Sequence, residues 1–166
     1  MVPLMVPLMV PLMVPLVAAL FLGLIPPPPQ AVWEWPTSGD HLIIWDFTAP
    51  LTPWGAGHRG LDIASEGTTI VAPAGGTISF SGWVVNRGVL TITTPEGMLI
   101  SMEPVTPAVK SGERVRRGQV IARVEPGHCA TLCLHLGLRV GTEYRSPRRE
   151  LGVLQRARLL PWDPSG

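Results

Sequence analysis

The sequence predicts an all-β fold class: an antiparallel β-sheet core, with an apolar, signal-like N-terminal segment lying outside the fold. Three observations carry that expectation. Nineteen prolines and eighteen glycines in 166 residues argue against long helices and for short strands joined by turns. Short apolar runs recur through residues 68–140, with turn signals between them. Several runs alternate in period two, the pattern of a strand with one buried face.

The elements follow in chain order. Residues 1–16 are the tetrapeptide MVPL repeated four times, and the stretch to Pro29 stays apolar. Its length suffices to span a bilayer, but proline at every fourth position up to Pro15 strains a helix throughout. Only 16–25, about ten residues, is proline-free, a length that suits the apolar region of a secretory signal. PPPPQA then supplies a break, with Ala31 near a cleavage point. Residues 1–31 therefore read as a signal peptide or a membrane anchor. A start at Met5, Met9 or Met13 is the third reading.

Residues 32–53 (VWEWP, LIIWDF) form a lead-in strand and loop, and PWGAGHRG continues as an ordered loop. The folded domain is assigned to 54–146. Its strand-like runs are TTIVAP, GTISFSGWVV, GVLTITT, MLISMEPV, ERVRRGQVIARVE and CLHLGLRV. Turn signals at Ala74-Gly75-Gly76, Asn86-Arg87-Gly88, Pro95-Glu96-Gly97 and Ser111-Gly112 separate them. Val89, Thr91 and Thr93 oppose Leu90 and Ile92, so the segment has two unlike faces. Six or seven strands in about eighty residues imply a compact antiparallel sheet. The tail, 147–166, has apolar positions that fit a helix loosely or a frayed end.

Composition narrows the function classes. A formal net charge of +1 gives no field that favours nucleic acid or an anionic surface. Any mechanism needing a reactive lysine rests on Lys110 alone. Two cysteines permit one bridge if the chain is exported.

The chemistry-bearing residues lie in two places. In His58-Arg59-Gly60-Leu61-Asp62, imidazole and carboxylate suit zinc, which accepts nitrogen and oxygen ligands. On an extended strand, residues four apart stand roughly 13 Å from each other, so the pair needs a bend, which Gly60 permits. Alone, this spacing is a weak signal, better explained by a surface histidine and a turn-capping aspartate. In Cys133-Leu134-His135 the first and third side chains share one face of a strand, roughly 6.6 Å apart. Three protein ligands with one position left open is the arrangement of a catalytic zinc.

From about Trp54 to Tyr144 the chain resembles the M23 (LytM/lysostaphin-type) zinc metallopeptidases, which cut peptide cross-bridges in peptidoglycan. Four segments carry the resemblance in order: GHRGLDIA, GTTIVAPAGGTISFSG, VKSGERVRRGQVIARV and CLHLGL. PWGAGHRG, GHC and CLH resemble the actinobacterial branch. The resemblance implies an antiparallel β-sheet core and one zinc ion held by His58, Asp62 and His135. It also implies peptidoglycan peptides as partner, no nucleic acid, and membrane contact only through an uncleaved N-terminal segment. Location is expected to be secreted or in the cell envelope, outside the cytoplasm.

Two positions depart from the family. Cys133 stands where the first histidine of His-x-His is expected, and Glu103 lies in the stretch matching the family's Tyr-x-His-Leu. Glu103 and His128 are thus the catalytic candidates for proton transfer. Cys129 and Cys133 form a disulfide in an exported protein, or Cys133 is a soft fourth ligand, or it is an inert core residue. The leading function is a zinc metalloendopeptidase of the cell wall. The alternative is a catalytically degenerate domain that binds peptidoglycan or activates another hydrolase. The hairpin runs also resemble biotinyl/lipoyl carrier domains, which would need Lys110 at an exposed tip.

Overall fold

The computed structural model describes residues 33–52 and 54–153; the expected signal or anchor segment and the chain beyond 153 lie outside the described residues. Eleven strands follow one another: β1 Ile43–Trp45, β2 Gly60–Ala64, β3 Thr69–Val71, β4 Gly76–Val84, β5 Arg87–Thr93, β6 Met98–Glu103, β7 Val105–Pro107, β8 Arg114–Val115, β9 Val120–Val124, β10 Cys133–Val140 and β11 Glu143–Arg145. Every pairing is antiparallel. The described residues contain no helix, and the fold they form is all-β.

The strands form two sheets where the sequence suggests one. The larger runs β1-β2-β10-β6-β5-β4-β8, with β11 also on β10; the smaller runs β3-β9-β7. Two breaks explain the second sheet. The run 113–125 is cut by a turn at Gly118, whose φ of 76° is open to glycine. Its first part pairs with β4 and its second with β3 and β7. The run 98–105 is cut at Pro104, which has no N–H for a ladder. Met98–Glu103 stays in the large sheet, and Val105–Pro107 crosses to β9. Residues 147–153 make a hydrogen-bonded turn, with Leu151 N donating to Pro147 O and Val153 N to Arg148 O.

Period two decides where the core sits. Leu61 and Ile63 of β2, Leu134, Leu136 and Leu138 of β10, and Ile100 and Met102 of β6 are all buried. They join Ile70, Val105, Ile121 and Val124 of the small sheet in one cluster. Side chains alternate along a strand, so Asp62, His135 and Glu103 fall on the other face. Register then lines them up, because His135 pairs with Asp62 on one side and with Glu103 on the other. Three polar residues stand abreast on β2, β10 and β6.

Candidate metal centre

His58 reaches this row from the loop before β2. Its backbone forms a two-way bridge with Thr48, with N–O distances of 2.9 and 3.0 Å. Its ring lies 5.0 Å from that of Trp45, near-parallel at 20°. His58 Nδ1 donates to the Asp46 carbonyl at 2.8 Å. A carbonyl only accepts, so that bond puts a proton on Nδ1 and leaves Nε2 as the ring atom that faces the other donors.

Three donor atoms then form a closed triangle. His58 Nε2 is 3.2 Å from Asp62 Oδ1 and 3.2 Å from His135 Nδ1, and the latter two are 2.8 Å apart. Zinc bonds of 2.0–2.2 Å in a tetrahedron put neighbouring ligand atoms about 3.3 Å apart. With Nδ1 committed to the Asp46 carbonyl, Nε2 is the His58 atom that would offer a lone pair to a cation set between the three donors. Imidazoles with one carboxylate suit zinc better than magnesium or calcium, which prefer all-oxygen sets. The residues fit the ion.

His128 adds a fourth donor: the donor atoms of His58, Asp62, His128 and His135 all lie within 4.8 Å of one another. Its Nε2 is 3.0 Å from Asp62 Oδ1. Its place differs from the other three. It comes from the loop between β9 and β10, and 31% of its side chain is exposed, against 4% for Asp62. Its ring meets that of His135 edge-on, with centroids 5.4 Å apart.

Burial pushes the Asp62 carboxyl up, but hydrogen bonding and electrostatic attraction from the His135 and His128 side chains outweigh it. The net effect holds Asp62 below the ordinary carboxylate range, ionised and ready as a ligand.

The remaining sequence candidates fall around this cluster. Glu103 is outside the four-donor set, and its Oε2 lies 3.1 Å from Arg87 Nε. It shares with His128 the lining of an open groove of about 630 Å³, together with Trp83, Arg87 and Glu125. Cys129 and Cys133 are joined in a disulfide, with Cα atoms 6.0 Å apart, so neither sulfur is a free thiolate ligand.

The sequence reading missed the support of His58. The Asp46 carbonyl leaves no mark in the sequence, because any residue supplies one. Trp45 is visible there only as one aromatic among several. Arg148 anchors this support: its Nη2 is 2.8 Å from Asp46 Oδ2, and its Nε donates to both carboxylate oxygens. The Arg148 guanidinium bonded to Asp46 holds that carboxyl below its usual range. The ion pair thus persists at neutral pH and is lost as pH falls through the lowered value. Arg148→Ala is expected to weaken zinc binding about threefold to tenfold, less than losing a direct ligand partner, because it acts through a main-chain carbonyl. Chelator competition measures this.

A family model described as Peptidase family M23 matches residues 56–147. The uncharacterized protein Rv2891 of Mycobacterium tuberculosis is 33% identical over 142 residues, covering 80% of this chain and 56% of that protein. The uncharacterized lipoprotein YgeR of Escherichia coli is 30% identical over 131 residues, covering 76% and 49%. The chain thus spans about half the length of these relatives. Among solved structures, Csd3 of Helicobacter pylori superposes with a TM-score of 0.59 at 23% identity, covering 76% of this chain and 35% of that one. The catalytic domain of lysostaphin from Staphylococcus simulans superposes at 0.57 and 21% identity, covering 68% and 93%. At these identities the superpositions establish the fold.

Proposed function

The chain belongs to peptidase family M23, and from that premise we propose that it is a zinc metalloendopeptidase that cuts peptidoglycan peptide cross-bridges outside the cytoplasm. One observation carries the reading: His58 Nε2, Asp62 Oδ1 and His135 Nδ1 form a triangle of 2.8–3.2 Å edges on the face of the sheet turned away from the apolar core. In this proposal those three residues hold one zinc ion. Bound zinc supplies Lewis acidity to the scissile carbonyl and to the attacking water.

The chain's own groups do the rest. His128 stands at the exposed rim, where its imidazole takes the proton from water and returns it to the departing amine. Its contact with Asp62 Oδ1 orients the ring. Glu103 lies beside His135 in register, and Arg87 occupies one of its oxygens. Glu103 lines the groove, so its carboxylate would accept a hydrogen bond from a bound peptide. Trp83 and Glu125 extend the same groove and bind the substrate's flanking residues.

Zinc content and release of soluble peptides from purified sacculi test the proposal. His128→Ala is expected to keep zinc while lowering kcat about 10²–10⁴-fold, the usual weight of a proton-transfer group. Glu103→Gln is expected to cost only about tenfold, since it keeps the groove's shape and polarity.

A second reading rests on the two departures. Cys133 and Glu103 stand where the family pattern has histidines; the first is tied in a bridge and the second lies 3.1 Å from Arg87 Nε, so neither position supplies an imidazole for proton transfer. Zinc-loaded protein that binds sacculi but releases no peptide between pH 6 and 9 would identify a binding or activating domain instead.

A further inference from the structure

The position of His128 is not set by secondary structure. Residues 125–132 link β9 to β10, and the loop's hydrogen bonds fall at its ends. Glu125 N donates to Pro104 O, Thr106 Oγ1 donates to Glu125 Oε1, and Ser65 N donates to Leu132 O. Between these ends, Pro126 has no N–H to give, Gly127 takes a φ of 112°, and His128 is exposed. One hydrogen bond from a partly exposed ring to Asp62 is a weak restraint on such a loop.

The strong restraint is covalent and adjacent. Cys129 follows His128 directly and is bonded to Cys133, which is 1% exposed and fixed opposite Ala64 in the ladder. Cys133 shares its strand face with His135, two residues on. The bridge therefore ties the neighbour of His128 to the strand that carries a zinc-ligand candidate. The other three donors need no such tie. Asp62 and His135 sit within paired strands, and His58 is held by Thr48, Asp46 and Trp45.

We infer that the Cys129–Cys133 disulfide is a positioning device for His128, so that reducing it withdraws the proton carrier while leaving the zinc ligands in place. The claim rests on the role given to His128 above. Reduction by a small dithiol transfers two electrons and two protons: the sulfur–sulfur bond breaks, two thiols form, and the dithiol becomes a disulfide. Residues 125–128 also line the groove, so the same event loosens one wall of the substrate cleft.

The test compares the oxidised chain, the dithiol-reduced chain, His128→Ala, and the double variant C129S/C133V, which keeps the buried position apolar. Zinc affinity by chelator competition is expected to agree within about threefold across all four, since the three-donor set is shared. In the zinc-free oxidised chain, ring protons of His128 and His135 are expected to show a nuclear Overhauser contact. That contact should vanish on reduction and in C129S/C133V. On sacculi, reduction is expected to lower kcat to the level of His128→Ala, and His128→Ala itself should respond to reduction by less than about twofold, because the two changes act through one group.

Persistence of the ring contact without the bridge overturns the inference, as does a reduction effect of equal size in His128→Ala. Loss of zinc affinity by more than about tenfold on reduction overturns it too, since the bridge would then be holding the ligands themselves. If no form cleaves sacculi, the endopeptidase proposal fails, and the ring contact still decides the positioning claim. If the reduced chain does not fold, C129S/C133V carries every readout.

Discussion

His135→Ala is expected to empty the chain of zinc and abolish peptide release from sacculi. The size of the effect follows from how a site divides its binding energy. Structural zinc sites bind with about 10–16 kcal/mol over four ligands, so one ligand accounts for about 3 kcal/mol, or roughly two orders of magnitude in affinity. His135 is one full corner of the donor triangle, with its Nδ1 2.8 Å from Asp62 and 3.2 Å from His58, so its loss takes away at least that share. Removing the ring also withdraws a hydrogen-bond partner from a carboxylate that is 3% exposed. Metal content after gel filtration and chelator competition give the readout, with Lys110→Ala, at an exposed turn, as the control. A His135→Ala chain that keeps one zinc per molecule at unchanged affinity would remove the basis of the metal assignment.

The sequence carried the site further than it carried the architecture. His58, Asp62 and His135 are legible as a set because four segments resemble the M23 pattern in order, whereas the spacing of His58 and Asp62 alone is a weak signal. Gly60, expected as the bend, is instead a paired residue of β2 opposite Gly137, and His58 comes in from the loop before it through its bridge to Thr48. Period two assigns Leu134 and Leu136 to one face and His135 to the other, as the burial of β10 bears out. Sheet order is a different matter. Nothing in the run 133–140 says that it lies between residues 60–64 and residues 98–103, because pairing partners are chosen by whole-fold packing. That pairing is what sets Glu103 beside His135. The second sheet was hidden for a similar reason: continuous apolar runs at 98–105 and 113–125 conceal breaks that only become sheet boundaries when the two layers stack.

The supports of the site divide along the same line. A side chain that makes a contact leaves a letter in the sequence, whereas a main-chain group does not. The Asp46 carbonyl holds the Nδ1 proton of His58, yet any residue at 46 has one. Arg148 sits 102 positions from Asp46 and belongs to a segment with weak helical patterning, so its partner had no local signal. The disulfide is intermediate, because two cysteines four apart admit a bridge, a metal ligand or neither. Here the fold decides, by placing Cys133 at the start of β10 and Cys129 within reach of it.

Gly60→Ala is expected to damage stability and metal binding together, through one methyl group. Gly60 opens β2 and pairs with Gly137 of β10. A Cβ there would stand 2.5 Å from the Leu136 carbonyl oxygen, 2.6 Å from His135 Nε2 and 2.8 Å from its Cε1. The imidazole can swing aside, but only by leaving the donor triangle. The carbonyl can retreat only by parting β2 from β10, which also separates Asp62 from His135. Overpacking of this kind costs about 1–3 kcal/mol, which lowers Tm by roughly 5–20 °C in a domain of about this size. Zinc affinity is expected to fall about 10–100-fold as the ring is displaced. Gly137→Ala is the control on the facing residue. Its Cβ would meet Ser101 Oγ at 2.6 Å, the end of a short side chain that rotates away. It should therefore lose some stability and keep its zinc affinity within about threefold. Thermal unfolding and chelator competition on both variants separate the two effects. Equal zinc loss in both would mean that general strain in the β2–β10 ladder governs the site. Loss in Gly60→Ala alone would mean that the glycine is there to give the His135 ring its room.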